Sequence, residues 1–218
     1  IAIGFGVYRS IVVPHLEQAK IRKAILDAGF ACDSRSPPAW LAMLVGEEHA
    51  CIVTRVDLRY ARESEPYGLT HPRALVSNSQ FVEEAYGNGE NILLTREEQL
   101  YADESLLRMI GQLTDLEAIN ANAQNITDDV IVSWSRLRNL KSLNVAETLI
   151  EDPARWPDFP LTTLDVSATM LRDEQIAALT KYESLEELNL SETPVSDQGL
   201  AALHPLQKMK QLLLIDTA

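Results

Sequence analysis

Apolar residues recur in the second half of the chain with a fixed spacing. In LEELNLSETPVSDQGLAAL, residues 185–203, apolar positions are three and then two apart; a threonine follows, and an aspartate comes four residues later. A spacing of two predicts a short strand with one buried face, and the spacing after the aspartate predicts a helix. The stretch therefore predicts one strand–turn–helix unit.

Five copies of this pattern indicate a solenoid of stacked units. They begin at residues 116, 140, 161, 185 and 209, which are 24, 21, 24 and 24 residues apart. The copy at 140 is shorter, and Pro153 within it suits the first position of a helical turn. Stacked units bury a continuous core that no single unit could bury.

Polar positions of the unit have predicted structural roles. A threonine hydroxyl can satisfy backbone groups where the chain leaves the strand, and Gln124 takes this place in the first copy. The aspartates are expected to be helix N-caps rather than calcium ligands. They are Asp128, Asp152, Asp173 and Asp197.

The first half of the chain predicts two helices and a strand. The helix over 14–30 ends at Gly29. The helix over 36–46 is expected to place four residues inside: Trp40, Leu41, Leu44 and Val45. The residues of the first helix expected towards the core are Leu16, Ala19, Ala24, Leu26 and Ala28. The strand that follows repeats the three-then-two spacing and is expected to cap the same sheet. Its spaced residues are Val53, Val56 and Leu58.

This organisation divides the chain into an N-terminal cap over 14–59, a polar insertion over 60–102 and repeats over 103–218. The insertion holds "EPYGLTHPR" and "YGNGEN", which are rich in turn residues. Long loops are often functional. An enzyme or small-molecule site there, around His71 and Arg73, is therefore an alternative function.

The repeated copies resemble leucine-rich repeats of about 24 residues, with Thr in place of the more usual Asn. The resemblance covers roughly 103–218 and is closest to ribonuclease-inhibitor-like members. It implies an α/β fold: a right-handed solenoid with a concave parallel sheet, short convex helices and, here, an N-terminal α/β cap.

The order of parts also resembles planctomycete membrane-anchored leucine-rich-repeat proteins. The matching stretches are "QAKIRKAILDAGF", "PPAWLAMLVGEE" and "VTRVDLR". The resemblance implies that residues 1–13, with "IAIGFGVY", are the end of a membrane anchor, tethered through a segment before Ile1; an ordinary buried strand is the alternative. It also implies an extracytoplasmic domain, although Arg9 and later basic residues favour the cytoplasmic side.

Composition and motifs argue against several functions. The 218 residues include 19 basic and 32 acidic ones, a net charge of -13, which disfavours nucleic-acid binding. The four histidines lack metal-ligand spacing, and no phosphate-loop or nucleophile motif occurs. Cys32 and Cys51 are either one bridge or two small buried residues. We expect no catalysis, metal or cofactor.

The expected function is protein or peptide recognition on the concave face, where residues between the leucines point away from the core. The partner is expected to have basic character, and an unoccupied solvated face is the alternative. A third interpretation is a structural envelope component that assembles through its C-terminal edge, where Leu213 and Ile215 would be exposed. The candidate partner-binding residues are Asn120, Asn122, Asn144, Glu147, Asp165, Ser167, Asn189 and Ser191.

Overall fold

The computed structural model describes residues 12–46, 50–59 and 101–217. The stretch "IAIGFGVY" and residues 60–100, with His71 and Arg73, lie outside the described residues, so the predictions made for them stay predictions. In chain order the elements are α1 (Val13–Asp27), β1 (Ala31–Arg35), α2 (Ala39–Val45), β2 (Ile52–Asp57), α3 (Glu104–Ile110), β3 (Ala118–Asn120), α4 (Asp128–Ser133), β4 (Ser142–Asn144), a 3-10 turn (Pro153–Arg155), β5 (Thr163–Asp165), α5 (Asp173–Ala177), a second 3-10 turn (Ala178–Lys181), β6 (Glu187–Asn189), α6 (Asp197–Ala202) and β7 (Gln211–Leu213).

The seven strands form one sheet in the order in which they occur along the chain. Strands β2 to β7 pair in parallel, and β1 lies antiparallel at the edge beside β2. Between successive strands the chain returns through a helix or a 3-10 turn. The α/β repeat solenoid expected from the leucine spacing is confirmed; its handedness and the capping role of the N-terminal part stay predictions.

The spaced leucines build the core, as predicted. Within the described residues, the first leucine of each copy, from Leu116 to Leu185, is fully buried, and so are Val53, Val56 and Leu58. In β3, β4 and β5 the middle residue is buried and its two neighbours are half-exposed. One apolar cluster extends from Ile21 in α1 to Leu206 after α6.

In the three units that begin at residues 140, 161 and 185, the threonine closes the turn after the strand, as predicted. The hydroxyls of Thr148, Thr169 and Thr193 are buried and donate to the carbonyl three residues earlier, over 2.6, 2.7 and 2.5 Å. The residue just before this position has a positive φ of 52–58° in every copy, a conformation that costs non-glycine residues about 1–2 kcal/mol. These residues are Ala123, Glu147, Ala168, Glu192 and Asp216.

The helix N-cap prediction is right for Asp152 and wrong for the other three aspartates. Asp152 accepts from the backbone N–H of Ala154 over 3.2 Å. Asp128, Asp173 and Asp197 are instead the first helical residues, because each helix begins one residue earlier than the pattern suggests. The actual N-caps are Thr127, Arg172 and Ser196.

Two of these aspartates bind the unit that follows them. Asp128 Oδ2 accepts from the backbone N–H groups of Glu151 and Asp152 over 2.9 and 3.1 Å. Asp173 accepts from the backbone N–H and the hydroxyl of Ser196 over 2.9 and 2.6 Å. A carboxylate at the first helical position therefore joins neighbouring turns here.

The short unit has a 3-10 turn where its neighbours have α-helices, and a lysine from the next unit holds it. Lys181 Nζ donates to the carbonyls of Pro153 and Trp156 over 2.8 and 2.7 Å. Burial lowers the pKa of Lys181. Tyr182 stands beside it and donates to the carbonyl of Pro157 over 3.1 Å.

The predicted core face of the first helix is partly wrong. Helix α1 is buried through Gln18, Ile21 and Ile25, whereas Leu26 is 44% exposed. The helix is rotated so that the Gln18 amide accepts from the backbone N–H of Val53 and donates to Asp115. The stop at Gly29 is confirmed, since its φ is 83°.

The second helix is also less buried than expected. Helix α2 has seven residues, and Leu41 lies in the core while Trp40 is 51% exposed. So short a helix turns only a narrow stripe inwards.

Cys32 and Cys51 are both unbridged, and burial raises the pKa of the Cys32 thiol. No helix in the described ranges is long and apolar enough to cross a bilayer.

Candidate functional site

The exposed face of the sheet carries side chains in straight rows, because parallel strands align equivalent residues. We call two of these rows the first row and the second row. The first row comprises Arg55, Ala118, Ser142, Thr163, Glu187 and Gln211. The second row comprises Asp57, Asn120, Asn144, Asp165, Asn189 and Leu213.

The second row brings together four of the predicted partner-binding residues, and each also has a structural role. The side-chain oxygens of Asn144, Asp165 and Asn189 each accept from the backbone N–H two residues later, over 3.0 Å. Asn120 makes the same contact to Asn122 over 3.3 Å. These side chains are therefore held in place by the turn that ends each strand.

The amide nitrogens of this row differ in whether they have a partner. Asn189 Nδ2 donates to Asp165 Oδ2 over 3.2 Å. The Asn120 and Asn144 amide nitrogens have no hydrogen-bond partner within the part of the chain that the structure describes. Both side chains are half-exposed. The row thus presents fixed donors beside the carboxylate of Asp165.

The remaining predicted residues are less uniformly placed. Asn122 and Ser167 are half-exposed beside the second row, and the Ser167 hydroxyl donates to Asp165 over 2.6 Å. Ser191 is buried, and its hydroxyl accepts from the backbone N–H of Ile215 over 3.1 Å. Glu147 is exposed on a positive-φ turn at the margin of the face.

The first row was missed by the sequence analysis, although it has the same alternation two residues earlier in each strand. At its centre Ala118, Ser142 and Thr163 are small and half-exposed, so they rise less from the sheet than long side chains would. Arg55 and Glu187, both exposed, stand at the two ends of this run. We call this run of the first row the trough.

A recess of about 350 Å³ opens at the Arg55 end of the trough. It exists because Ala118 is the smallest residue of the first row and leaves space beside the arginine. Neither Arg35 nor Arg55 makes an ion pair with any residue that the structure describes. The recess is lined by Asp33, Arg35, Thr54, Arg55, Glu117 and Ala118.

Other charges around the sheet face are already paired. Glu117 pairs with Lys141 over 3.4 Å, Glu186 with Lys210 over 2.6 Å, and Asp57 with Arg59 over 2.5 Å. Since the Glu117 charge is balanced in this way, Asp33, Arg35 and Arg55 leave the recess with one net positive charge. The opposite end, at Glu187 and Asp165, is negative.

A second cleft, of about 510 Å³, lies between α3 and α4 and shows no catalytic constellation. Its charged lining includes Asp103, whose pKa is lowered by the Ser105 hydroxyl, and the Glu104–Arg108 ion pair. In the described ranges, no three His, Cys, Asp or Glu residues are grouped so that they could hold a metal ion. His204 is exposed after α6.

Fold and face together define an α/β repeat solenoid with one polar, open sheet surface. No protein-family model matches the chain, and no curated protein matches it. Among solved structures, internalin C2 of Listeria monocytogenes is 23% identical with a TM-score of 0.43, and the match covers 49% of this chain and 45% of that one. The internalin InlF of the same organism is 18% identical with a TM-score of 0.37, covering 52% and 38%. The match thus spans less than half the length of either internalin.

Proposed function

We propose that this chain is a non-catalytic recognition module that binds a protein or peptide on the polar face of its sheet. The observation that carries the proposal is the second row, in which Asn120, Asn144, Asp165 and Asn189 lie in register with their oxygens already engaged. Side chains fixed before binding lose little conformational entropy when a partner docks. An open curved surface of this kind is what solenoids use to bind extended partners.

The partner is expected to be basic where it meets Asp165 and Glu187. Both carboxylates belong to the exposed face, and neither has a cationic partner within the described ranges. Electrostatic complementarity would speed association and select among partners more than it would raise affinity. A membrane-anchored, extracytoplasmic location is part of the proposal and rests on the sequence resemblance alone.

A capture experiment with envelope extract of the source organism tests the face. The bait is the full chain, beside the double variant Asn144→Arg, Asn189→Arg, with mass-spectrometric readout. A matched control, Gln112→Arg with Gln198→Arg, adds the same charge at exposed positions away from the sheet. We expect a protein that is captured by the parent and the control and lost by the face variant. Equal capture by all three would contradict the proposed face.

A second candidate function is assembly through the edge strand β7. Leu213 in this strand is 38% exposed, and Ile215, two residues after it, is 65% exposed, so two aliphatic side chains are available to a partner strand. Light scattering across a concentration series would test it. Association that disappears in Ile215→Ser would favour assembly, and a monomer at all concentrations would contradict it.

A further inference from the structure

The trough has a free cation at one end and a free anion at the other, so its charge arrangement specifies the partner. Building on the proposed function, we propose that the occupant is an extended peptide segment with an acidic side chain at the Arg35–Arg55 recess and a basic side chain at Glu187. The segment crosses the strands along the first row.

The recess suits one carboxylate. Arg35 and Arg55 both line it, and its volume of about 350 Å³ leaves ample room for an acidic side chain. Planar guanidinium groups bind carboxylates through paired hydrogen bonds, and neither of these two has a competing ion pair in the described residues. Asp33 at the rim lowers the net charge to one, which matches one carboxylate rather than a more highly charged group.

The length of the trough fixes the spacing of the two charges. Arg55 in β2 and Glu187 in β6 occupy the same register row, four strand spacings apart. Neighbouring strands are about 4.8 Å apart, so the two ends are about 19 Å apart. An extended peptide rises about 3.3 Å per residue, so about six residues cover this distance.

An even number of residues places both charged side chains on the same side of the peptide. Successive side chains of an extended chain alternate, so residues two and four positions after the acidic one also face the trough. They face Ala118, Ser142 and Thr163. If the peptide backbone lies close to the sheet, only small side chains fit at these two positions. The amides of Asn120 and Asn144 lie one row away and can donate to the peptide carbonyls.

The Glu187 end accepts the basic side chain. Glu187 is exposed, and in the described ranges its carboxylate accepts a hydrogen bond only from the Thr163 hydroxyl, over 3.4 Å. Asp165 lies in the adjacent row of the neighbouring strand and adds negative charge. Lys210 is paired with Glu186, so it does not neutralise this end.

Synthetic peptides test the spacing directly. Terminally blocked, fluorescein-labelled peptides of Ser and Thr carry Glu and Lys with five, three or one residue between them, because only the first spacing fits the trough. Binding to the full chain is followed by fluorescence anisotropy at low ionic strength. We expect the widest spacing to bind about three- to tenfold more tightly than the other two. Equal affinity for all three spacings, or no binding of the first at millimolar concentration, would overturn the proposal.

A charge reversal on the protein tests the ends. Arg55→Glu makes both ends acidic, so it should weaken the Glu–Lys peptide and strengthen a Lys–Lys peptide of the same spacing, each about three- to tenfold. Arg138→Glu, at an exposed position outside the face, makes the same charge change and should alter neither. If both variants changed the peptide affinities equally, the cause would be the net charge of the protein rather than the charge at this site, and the proposal would be overturned.

The failure of this inference is separable from failure of the proposed function. One outcome is a peptide affinity that does not depend on the Glu–Lys spacing, while the Asn144→Arg, Asn189→Arg variant still loses a captured protein. In that case the face binds a partner, but the trough does not select it by the spacing of its charges. If the peptides follow the spacing rule, the trough is a binding site whatever the capture experiment finds.

Discussion

The indole Nε1 of Trp156 donates to Asp128 Oδ1 over 2.6 Å, across two neighbouring units of the solenoid. The same carboxylate also accepts from the backbone of Glu151 and Asp152, so one side chain satisfies three donors. Both Trp156 and Asp128 are buried. The short unit is thereby attached to the helix that precedes it.

Removing this carboxylate should destabilise the protein strongly. Asp128→Ala leaves an indole and two backbone donors without a partner, so the free energy of unfolding should fall by about 3 kcal/mol. Asp129→Ala is the matched control, because it removes only an exposed ion pair with Arg155 and should cost less than about 1 kcal/mol. Urea denaturation of both variants measures the difference. Equal losses would contradict the assigned role.

Gly199 in α6 should not tolerate alanine, although alanine is the better helix former. A Cβ at Gly199 would overlap the carboxylate of Asp173 and lie 3.0 Å from its Cα. We expect Gly199→Ala to lower the free energy of unfolding by about 1–3 kcal/mol, against a propensity gain of about 1 kcal/mol. The neighbouring exposed substitution Gln198→Ala should be neutral or stabilising. Thermal unfolding of both would decide, and a stabilised Gly199→Ala would show that the two helices can separate without cost.

The positive-φ turns offer a stabilising substitution. Ala168 has φ 52°, so Ala168→Gly relieves backbone strain and should raise the free energy of unfolding by about 0.5–1 kcal/mol. The identical exchange in a helix, Ala177→Gly in α5, should lower it by about 1 kcal/mol. Chemical denaturation should show changes of opposite sign in the free energy of unfolding of the two variants. A lower free energy of unfolding in both would mean that the turn stores no strain.

Tyr182 should make stability depend on alkaline pH. Burial raises the pKa of its hydroxyl above the ordinary value of about 10, because ionisation inside the protein is unfavourable. Its contribution is therefore complete below about pH 10 and is lost as the pH rises towards the raised pKa. Tyr182→Phe should reduce this alkaline dependence and should cost about 1 kcal/mol at neutral pH, through the lost bond to Pro157.

The measurement for Tyr182→Phe is the urea midpoint at neutral and alkaline pH. Tyr101→Phe, at an exposed position, is the control and should leave both the neutral value and the alkaline slope unchanged. If the Tyr182 variant kept the full alkaline slope, another group would be responsible for it.

The repeat and its core were predictable because the signal is redundant. Each copy places leucines at the same spacing, so Leu143, Leu164 and Leu188 each support the assignment of the others, and all are buried. The turn threonines were predictable for the same reason. No comparable redundancy existed for α1, where the sequence analysis placed Leu26 towards the core; the helix, which packs against β1, β2 and α3, buries Ile25 instead.

The candidate site was predictable in part. Alternation along the strands placed Asn120 and Asn144 on the exposed face, but sequence alone did not reveal that their oxygens bind the backbone of the following turn. The helix caps were misplaced by one residue. Ser196 is as good a cap as the aspartate that follows it, whereas Thr127 is a weaker type of cap and Arg172 is not a preferred one, so residue preference favoured Asp128 and Asp173. The recess depends on the contact of β1 with β2, and no local pattern reports that pairing.

The 3-10 turn of the short unit has consequences for how the molecule comes apart. Asp128 forms hydrogen bonds to it from the preceding unit, and Lys181 forms hydrogen bonds to it from the following one. Hydrogen bonds between neighbouring repeats strengthen their coupling, so we expect these repeats to unfold as one cooperative unit rather than singly. The short repeat would then unfold together with its two neighbours, so its irregularity would not lower the cooperativity of unfolding in this part of the solenoid.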